Sequence, residues 1–330
     1  MAARAVARPE RAPPTSFAPS ADPPPRGFTR RAWAEAFAKD AADIAAGLYP
    51  ALDDGPIDPA QAWRKTADFI ADAREVEARR RRGGGVEARA QAPEGSTAYP
   101  AYYRQNFHFQ SGGWFTPDSA ARYEAQVDAL FGGTTGPMRR RALSLLAKAW
   151  SDRDHRGLAV VDLACGSGAF LHDMERTFPR ARLMGVDLSP AYLVEATARV
   201  ERASLIQANA ERLPFADASI DAITCIYLFH ELPPRVRPIV AAEIARVLKP
   251  GGYLAFADAV QPSDAPHLAR LLEAFPAYFH EPYFADYART DLTTLFAVAG
   301  LIERDSDVAF LTKGVLFERA GEASEPKAAP

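Results

Sequence analysis

The chain has 330 residues, 48% of them apolar, a net charge of −3 and two cysteines. That is enough for a sizeable core in one large domain with an appendage, or in two domains. It excludes a disulfide framework and a cysteine-rich zinc site, and it supplies no overall field to attract nucleic acid.

Residues 1–27 are rich in Ala, Pro and Arg, with only Glu10 and Asp22 acidic and no apolar stretch of the secretory kind. They read as a disordered tail, with an organellar transit peptide as the alternative. No apolar run in the chain approaches the ~20 residues that span a bilayer, which leaves membrane contact at most peripheral. The two thiols, Cys165 and Cys225, sit in apolar surroundings and read as buried structural groups in a reducing, cytoplasmic setting.

Residues 28–98 read as a helical N-terminal region and linker. Trp33, Ala36, Phe37, Ala41, Ile44 and Leu48 recur at spacings of three and four, which predicts a helix with one apolar face, ended by Pro50. A second helix is expected from about Asp58-Pro59 to Arg82, where Arg79–Arg82 and three glycines suit a solvated helix C-terminus. Residues 99–150 read as an aromatic cap segment followed by helices at about 118–131 and 137–150. The stretch from Tyr99 to Asp118 mixes aromatic, amide and glycine residues without a clean period, a composition that can line an aromatic pocket.

The main domain, residues 151–319, alternates strand and helix. Strands are expected at Ala159–Leu163, Ala181–Asp187, Ser204–Ala208, Asp221–Leu228 and Tyr253–Asp258, with helices at about 168–178, 190–202 and 235–248. Helical patterns at about 264–275 and 287–299 follow. Leu301–Asp307 and Val308–Arg319 then read as an antiparallel pair, and residues 320–330 as a polar tail. The fold class is therefore α/β: a doubly wound, seven-stranded, mostly parallel sheet with an N-terminal helical extension.

Ligands of such sheets bind at the carboxyl ends of the strands. After the first strand come Ala164, Gly166 and Gly168, a turn that can cradle a nucleotide at a helix N-terminus. The second strand ends in Asp187, suited to ribose hydroxyls or to capping the next helix. Asn209-Ala210 follows the third strand, and Tyr227 with His230-Glu231 follows the fourth. Gly168 is followed by no third glycine at the dinucleotide spacing, and no second mononucleotide half exists, which argues against a nicotinamide cofactor.

Asp162–Gly168, Gly185–Ser189, Asn209–Phe215 and Arg246–Gly252 resemble, in order, the motifs of class I S-adenosylmethionine-dependent methyltransferases. The nearest subgroup is the ubiquinone/menaquinone C-methyltransferase-like one, and the resemblance covers about residues 155–260. It implies the Rossmann-like methyltransferase fold and S-adenosylmethionine as cofactor. Carried over, it sets Asp162, Ala164, Gly166 and Gly168 around the methionine, Asp187 on the ribose, Leu188 against adenine, Asn209 and Ala210 at the adenine edge, and Tyr227 beside the cofactor. Ala164 and Asn209 depart from the glycine and aspartate common there.

The implied reaction is methyl transfer to a small apolar or aromatic acceptor: quinone-like, phenolic or lipid-derived. Candidate bases are His230, His280 and His108. Candidate acceptor contacts are Tyr102, Tyr103, Gln110 and Trp114 in the first aromatic stretch, and Tyr283 and Tyr287 in the second, around 275–287. No metal and no nucleic-acid partner are expected. The alternatives are a protein or nucleic-acid methyltransferase, and a non-catalytic cofactor-binding regulatory protein. The acceptor atom and the oligomeric state are not legible in the sequence.

Overall fold

A computed structural model describes residues 20–51, 99–104, 107 and 112–321. The tails, the expected helix of 58–82, His108 and Gln110 lie outside the described residues.

Seven strands form one sheet in the order β3-β2-β1-β4-β5-β7-β6. They are β1 (Ala159–Leu163), β2 (Arg182–Asp187), β3 (Ser204–Gln207), β4 (Ile220–Ile226), β5 (Leu248–Ala259), β6 (Leu301–Ala309) and β7 (Thr312–Arg319). The first five pair in parallel, and β7 runs antiparallel to both neighbours. The order reverses between β1 and β4, which opens the crevice of a doubly wound sheet beside β1.

The helices are α1 (Phe28–Ala45), α2 (Pro117–Leu130), α3 (Thr135–Ala149), α4 (Ala169–Thr177), α5 (Pro190–Arg199), α6 (Arg237–Val247), α7 (Ala269–Tyr278), α8 (Phe284–Tyr287) and α9 (Leu292–Val298). β1 is buried at every position, as expected for a central strand covered on both faces. Its side chains alternate between two cores. Val161 and Leu163 join Val240 and Ile244 of α6 and Phe296 of α9. Val160 joins Leu143 and Leu146 of α3 and Met174 of α4. At Gly314 in β7 an added Cβ would lie 2.9 Å from Arg141 Cβ, so α3 rests directly on the strand backbone.

α1 buries only part of the apolar stripe read from its spacing: Ala36 is buried and Ile44 and Leu48 pack on the second core, but two acidic residues share the buried face. Trp33 and Phe37 are 39% and 36% exposed, whereas Ala36, Asp40 and Asp43 are buried. The cause is the partner surface. Arg140 of α3 holds Asp40 through Nε and Nη2, each at 2.7 Å, and Arg141 Nη1 lies 2.8 Å from Asp43. Tyr49 donates to Asp40 at 2.8 Å and accepts from Arg141 at 3.1 Å. Periodicity cannot reveal that the helix opposite is basic.

The last two strands also break later than expected. Val308 and Ala309 pair with Lys313 and Thr312, and the chain turns at Phe310 with φ 51°. No Gly, Asn or Asp marks that turn, so the sequence carried no signal for it.

Candidate active site

The turn from β1 into α4 puts Ala164, Gly166 and Gly168 at φ 59°, 52° and 76°. A Cβ at Gly168 would meet Ala196 Cβ at 3.0 Å and Val200 Cγ1 at 3.3 Å. Gly168 thus lets α4 pack on α5, and it does not border the cleft that the rest of the turn lines. Ala164, Gly166, Ser167 and Ala169 do border the cleft.

Asp187 closes β2 and faces the same cleft. Its Oδ2 accepts from the Gly166 amide at 2.9 Å and its Oδ1 from the Ser189 amide at 2.8 Å. Burial raises its pKa against those amide bonds. It does not cap α5: Ser189 does, accepting from the Tyr192 amide, with Pro190 first in the helix. Leu188, Asn209 and Ala210 complete this end of the cleft. Asn209 Oδ1 accepts from the Glu211 amide at 2.9 Å, and Tyr102 donates to Glu211 Oε1 at 2.7 Å.

Two charged residues on this wall carried no sequence signal: Glu124 on α2 and Arg139 on α3. They pair at 2.7 Å, and Ser167 of the glycine turn donates to Glu124 at 2.6 Å. Burial opposes the Glu124 charge, but Arg139 overrides it and holds the pKa below the usual carboxylate value. Opposite them, burial pushes Asp162 up to about 7, moderated by a 2.6 Å hydrogen bond from Thr224. Tyr227 borders the cleft from a backbone with φ 56°, and its hydroxyl lies 2.5 Å from Thr312 Oγ1. Strained φ at both Ala164 and Tyr227 is the kind of outlier that gathers at functional sites.

An aromatic roof covers the remaining side. Tyr102, Tyr103, Phe107, Trp114, Tyr123 and Tyr192 all border the cleft. The roof is tied down where Ser189 Oγ donates to the Trp114 carbonyl at 2.5 Å. The two aromatic stretches meet where the Phe107 and Tyr283 rings lie 6.5 Å apart. Tyr283 packs behind the roof and does not line the cleft. Tyr287 is a core residue, fully buried, its hydroxyl donating to the Ala259 carbonyl at 2.7 Å. Its expected acceptor contact is corrected accordingly.

The histidines differ from expectation too. His280 occupies a turn at φ 35° away from the cleft lining. His230 is 6% exposed and likewise outside the lining, which is made here by Tyr227, Leu228, Glu231 and Leu232. Its Nδ1 lies 2.6 Å from Asp258 Oδ1. Burial opposes the imidazolium, yet Asp258 raises its pKa to about 9. The ring expected to act as a base is thus engaged by Asp258 and lies outside the cleft lining.

The family model of the methyltransferase domain matches residues 160–252. The ubiquinone/menaquinone biosynthesis C-methyltransferase of Desulfotalea psychrophila is 30% identical over 203 residues, 56% of this chain and 79% of that protein. The chain belongs to the class I S-adenosylmethionine-dependent methyltransferases.

Within that family this methyltransferase is also 33% identical to the fatty-acid O-methyltransferase of Mycolicibacterium smegmatis, over 42% of this chain and 51% of that protein. It spans about half the length of several of the curated relatives it matches. A methyltransferase structure from Aquifex aeolicus is similar with a TM-score of 0.44 and 16% identity, covering 62% of this chain and 100% of that one. Among the described residues of the methyltransferase, no helix is long and apolar enough to cross a membrane.

Proposed function

We propose that the chain transfers a methyl group from S-adenosylmethionine to a small apolar or aromatic acceptor, of quinone-like, phenolic or lipid-derived chemistry. The observation that carries this reading is the roof of Tyr102, Tyr103, Phe107, Trp114 and Tyr123 over a cleft whose floor is the glycine turn. Such a wall buries flat or apolar surface and directs a few polar groups inward. Relatives named for fatty-acid, ubiquinone/menaquinone and demethylmenaquinone methylation support the same class of acceptor.

The donor set fits the cofactor. Asp187 offers carboxylate oxygens for ribose hydroxyls, and Leu188, Asn209 and Ala210 border the end suited to adenine. Arg139 and Asp162 offer opposite charges for the carboxylate and ammonium of a methionine, beside Ala164 and Gly166. Bound S-adenosylmethionine supplies a methyl group on a sulfonium whose charge disappears in in-line transfer. The chain's own task is alignment and exclusion of water: the roof covers the cleft, and fixed charges orient both reactants before reaction. The two free, buried cysteines support a cytoplasmic setting.

The test is a radiolabelled methyl-transfer assay on a demethylated naphthoquinol, a simple phenol and a long-chain fatty acid, beside mixed peptides and RNA. Labelling of at least one small acceptor is expected. Labelling of peptide or RNA alone, or calorimetric cofactor binding without any turnover, would replace this reading.

A further inference from the structure

The carboxylates on the cleft divide into two groups by position. Glu124, Asp162 and Asp187 belong to the glycine-turn side, where they meet Arg139, Thr224 and two backbone amides respectively. Glu231 stands apart, on the short turn Phe229–Glu231 that follows β4. It faces the phenols of Tyr103 and Tyr123 in the roof, both of which feel its charge.

That turn is held from beneath with unusual thoroughness. Asp258 Oδ2 accepts from the amides of Phe229 at 2.9 Å and His230 at 3.3 Å, while its Oδ1 meets the His230 ring. Arg237, 1% exposed, donates from Nε to the Phe229 carbonyl at 3.0 Å. Its other nitrogens hold Asp286, Thr290 and the Tyr283 carbonyl. His230 Nε2 reaches to 4.0 Å from Glu231 Oε1. The backbone of the turn that carries Glu231 is thus pre-organised, as the support of a group acting on a bound substrate must be.

We propose that Glu231 is the catalytic residue that removes the acceptor's proton, that His230 and Asp258 are its positioning residues, and that the acceptor is a phenol or quinol. This rests on the methyltransferase reading of the same cleft. The phenolic O–H proton passes to a Glu231 oxygen, and the O–H electron pair stays on the acceptor. An electron pair of the phenolate forms the bond to the methyl carbon, and the S–CH3 bond breaks with its pair left on sulfur. A sulfonium thus becomes a neutral thioether, and a carboxylate becomes a carboxylic acid that later returns its proton to water. The same step serves transfer to an ortho carbon, where the ring C–H proton moves to the ring oxygen as aromaticity is restored. Among the described residues, the other titratable groups around Glu231 and His230 are Asp258, Glu281, Tyr227 and Tyr287 beside His230, and Tyr103 and Tyr123 across the cleft.

The test uses the full chain saturated with S-adenosylhomocysteine and 4-nitrophenol as a chromophoric probe. In the wild type the negative Glu231 holds the bound probe as neutral phenol. Glu231→Gln should raise the bound phenolate fraction, read at 400 nm, about tenfold. With a phenolic acceptor, Glu231→Gln should lower kcat about 100-fold or more and erase the acidic limb of its pH profile. Glu231→Asp should restore part of the rate, cofactor affinity should hold within about twofold, and His230→Gln should move the acidic limb to higher pH. Unchanged probe ionisation, or full kcat in Glu231→Gln, overturns the assignment to Glu231 and leaves the methyltransferase reading intact. A wild type that methylates only carboxylic acids overturns the phenol class and the need for a base. Cofactor binding with neither probe binding nor turnover overturns both readings.

Discussion

Arg139 Nη1 lies 2.7 Å from Glu124 Oε2, across the gap between α3 and α2, and both side chains border the cleft beside the glycine turn. An anionic group entering there meets a guanidinium already fixed by its partner, so little ordering entropy remains to be lost. Arg139→Gln should weaken S-adenosylmethionine binding by roughly 10- to 100-fold, the loss of about 1.5–3 kcal/mol from a charged hydrogen bond. Calorimetry with S-adenosylhomocysteine, which keeps the same carboxylate, should report the same loss.

Asp162 gives cofactor binding a pH dependence. Burial raises its pKa from 3.8 to about 7, so much of it is neutral below that pH. A cationic ligand favours the carboxylate and therefore releases a proton on binding. Affinity should climb as pH rises from 6 to about 7.5 and then level. Calorimetry in buffers of different ionisation enthalpy should detect the proton, and Asp162→Asn should abolish both effects. The same substitution should raise the Tm of the ligand-free protein at pH 8. A group whose folded pKa is raised contributes its stability below 3.8 and loses it as pH rises through about 7.

His230 and Asp258 should mark the alkaline side of the stability curve. The folded pKa of His230 is about 9 against 6.5 for a free imidazole. Its contribution, about 3 kcal/mol, is fully present below pH 6.5 and is lost as pH rises through 9. Urea unfolding at pH 6.5 and 9.5 should show that loss in the wild type. His230→Gln should flatten the difference.

Backbone strain in the glycine turn separates two neighbours. Ala164 sits at φ 59° and Gly168 at φ 76°. Ala164→Gly should be neutral or stabilising by about 1 kcal/mol, because glycine adopts that φ freely. Gly168→Ala adds a Cβ 3.1 Å from the Ala196 backbone as well as the strain, and should destabilise by about 2–3 kcal/mol. Thermal denaturation should give an unchanged or higher Tm for Ala164→Gly and a lower Tm for Gly168→Ala.

The docking of α1 rests on charge. Asp40→Ala leaves the Arg140 guanidinium, 12% exposed, with only the longer 3.4 Å contact to Asp173, and should cost about 2 kcal/mol. Trp33→Ala, on the exposed face, should cost under about 1 kcal/mol. Limited proteolysis near α1 should accelerate only for the first.

How far the sequence reached can be read from these residues. Asp187 was legible because a carboxylate at the end of β2 is a local feature of strand, turn and spacing. The glycine turn was legible for the same reason, except that Gly168 serves packing against α5, a contact between segments 28 residues apart. Glu124 and Arg139 were not legible: each is one charge among many on an ordinary helix until the helices are laid together. Tyr287 and Phe107 looked alike as aromatic residues in aromatic stretches. One is in the core and the other on the cleft, because burial follows from what packs against a ring.

The sequence by itself determined the parallel sheet, the side of it on which the cleft opens, and the methyl donor. All three rest on short-range patterns: strand alternation, a glycine turn, and motifs in fixed order. Only the tertiary structure decided which face of α1 is buried, which charges meet beside the glycine turn, and that Glu231 rather than His230 borders the cleft. Those outcomes depend on which distant side chains meet across the fold, and no local period encodes that.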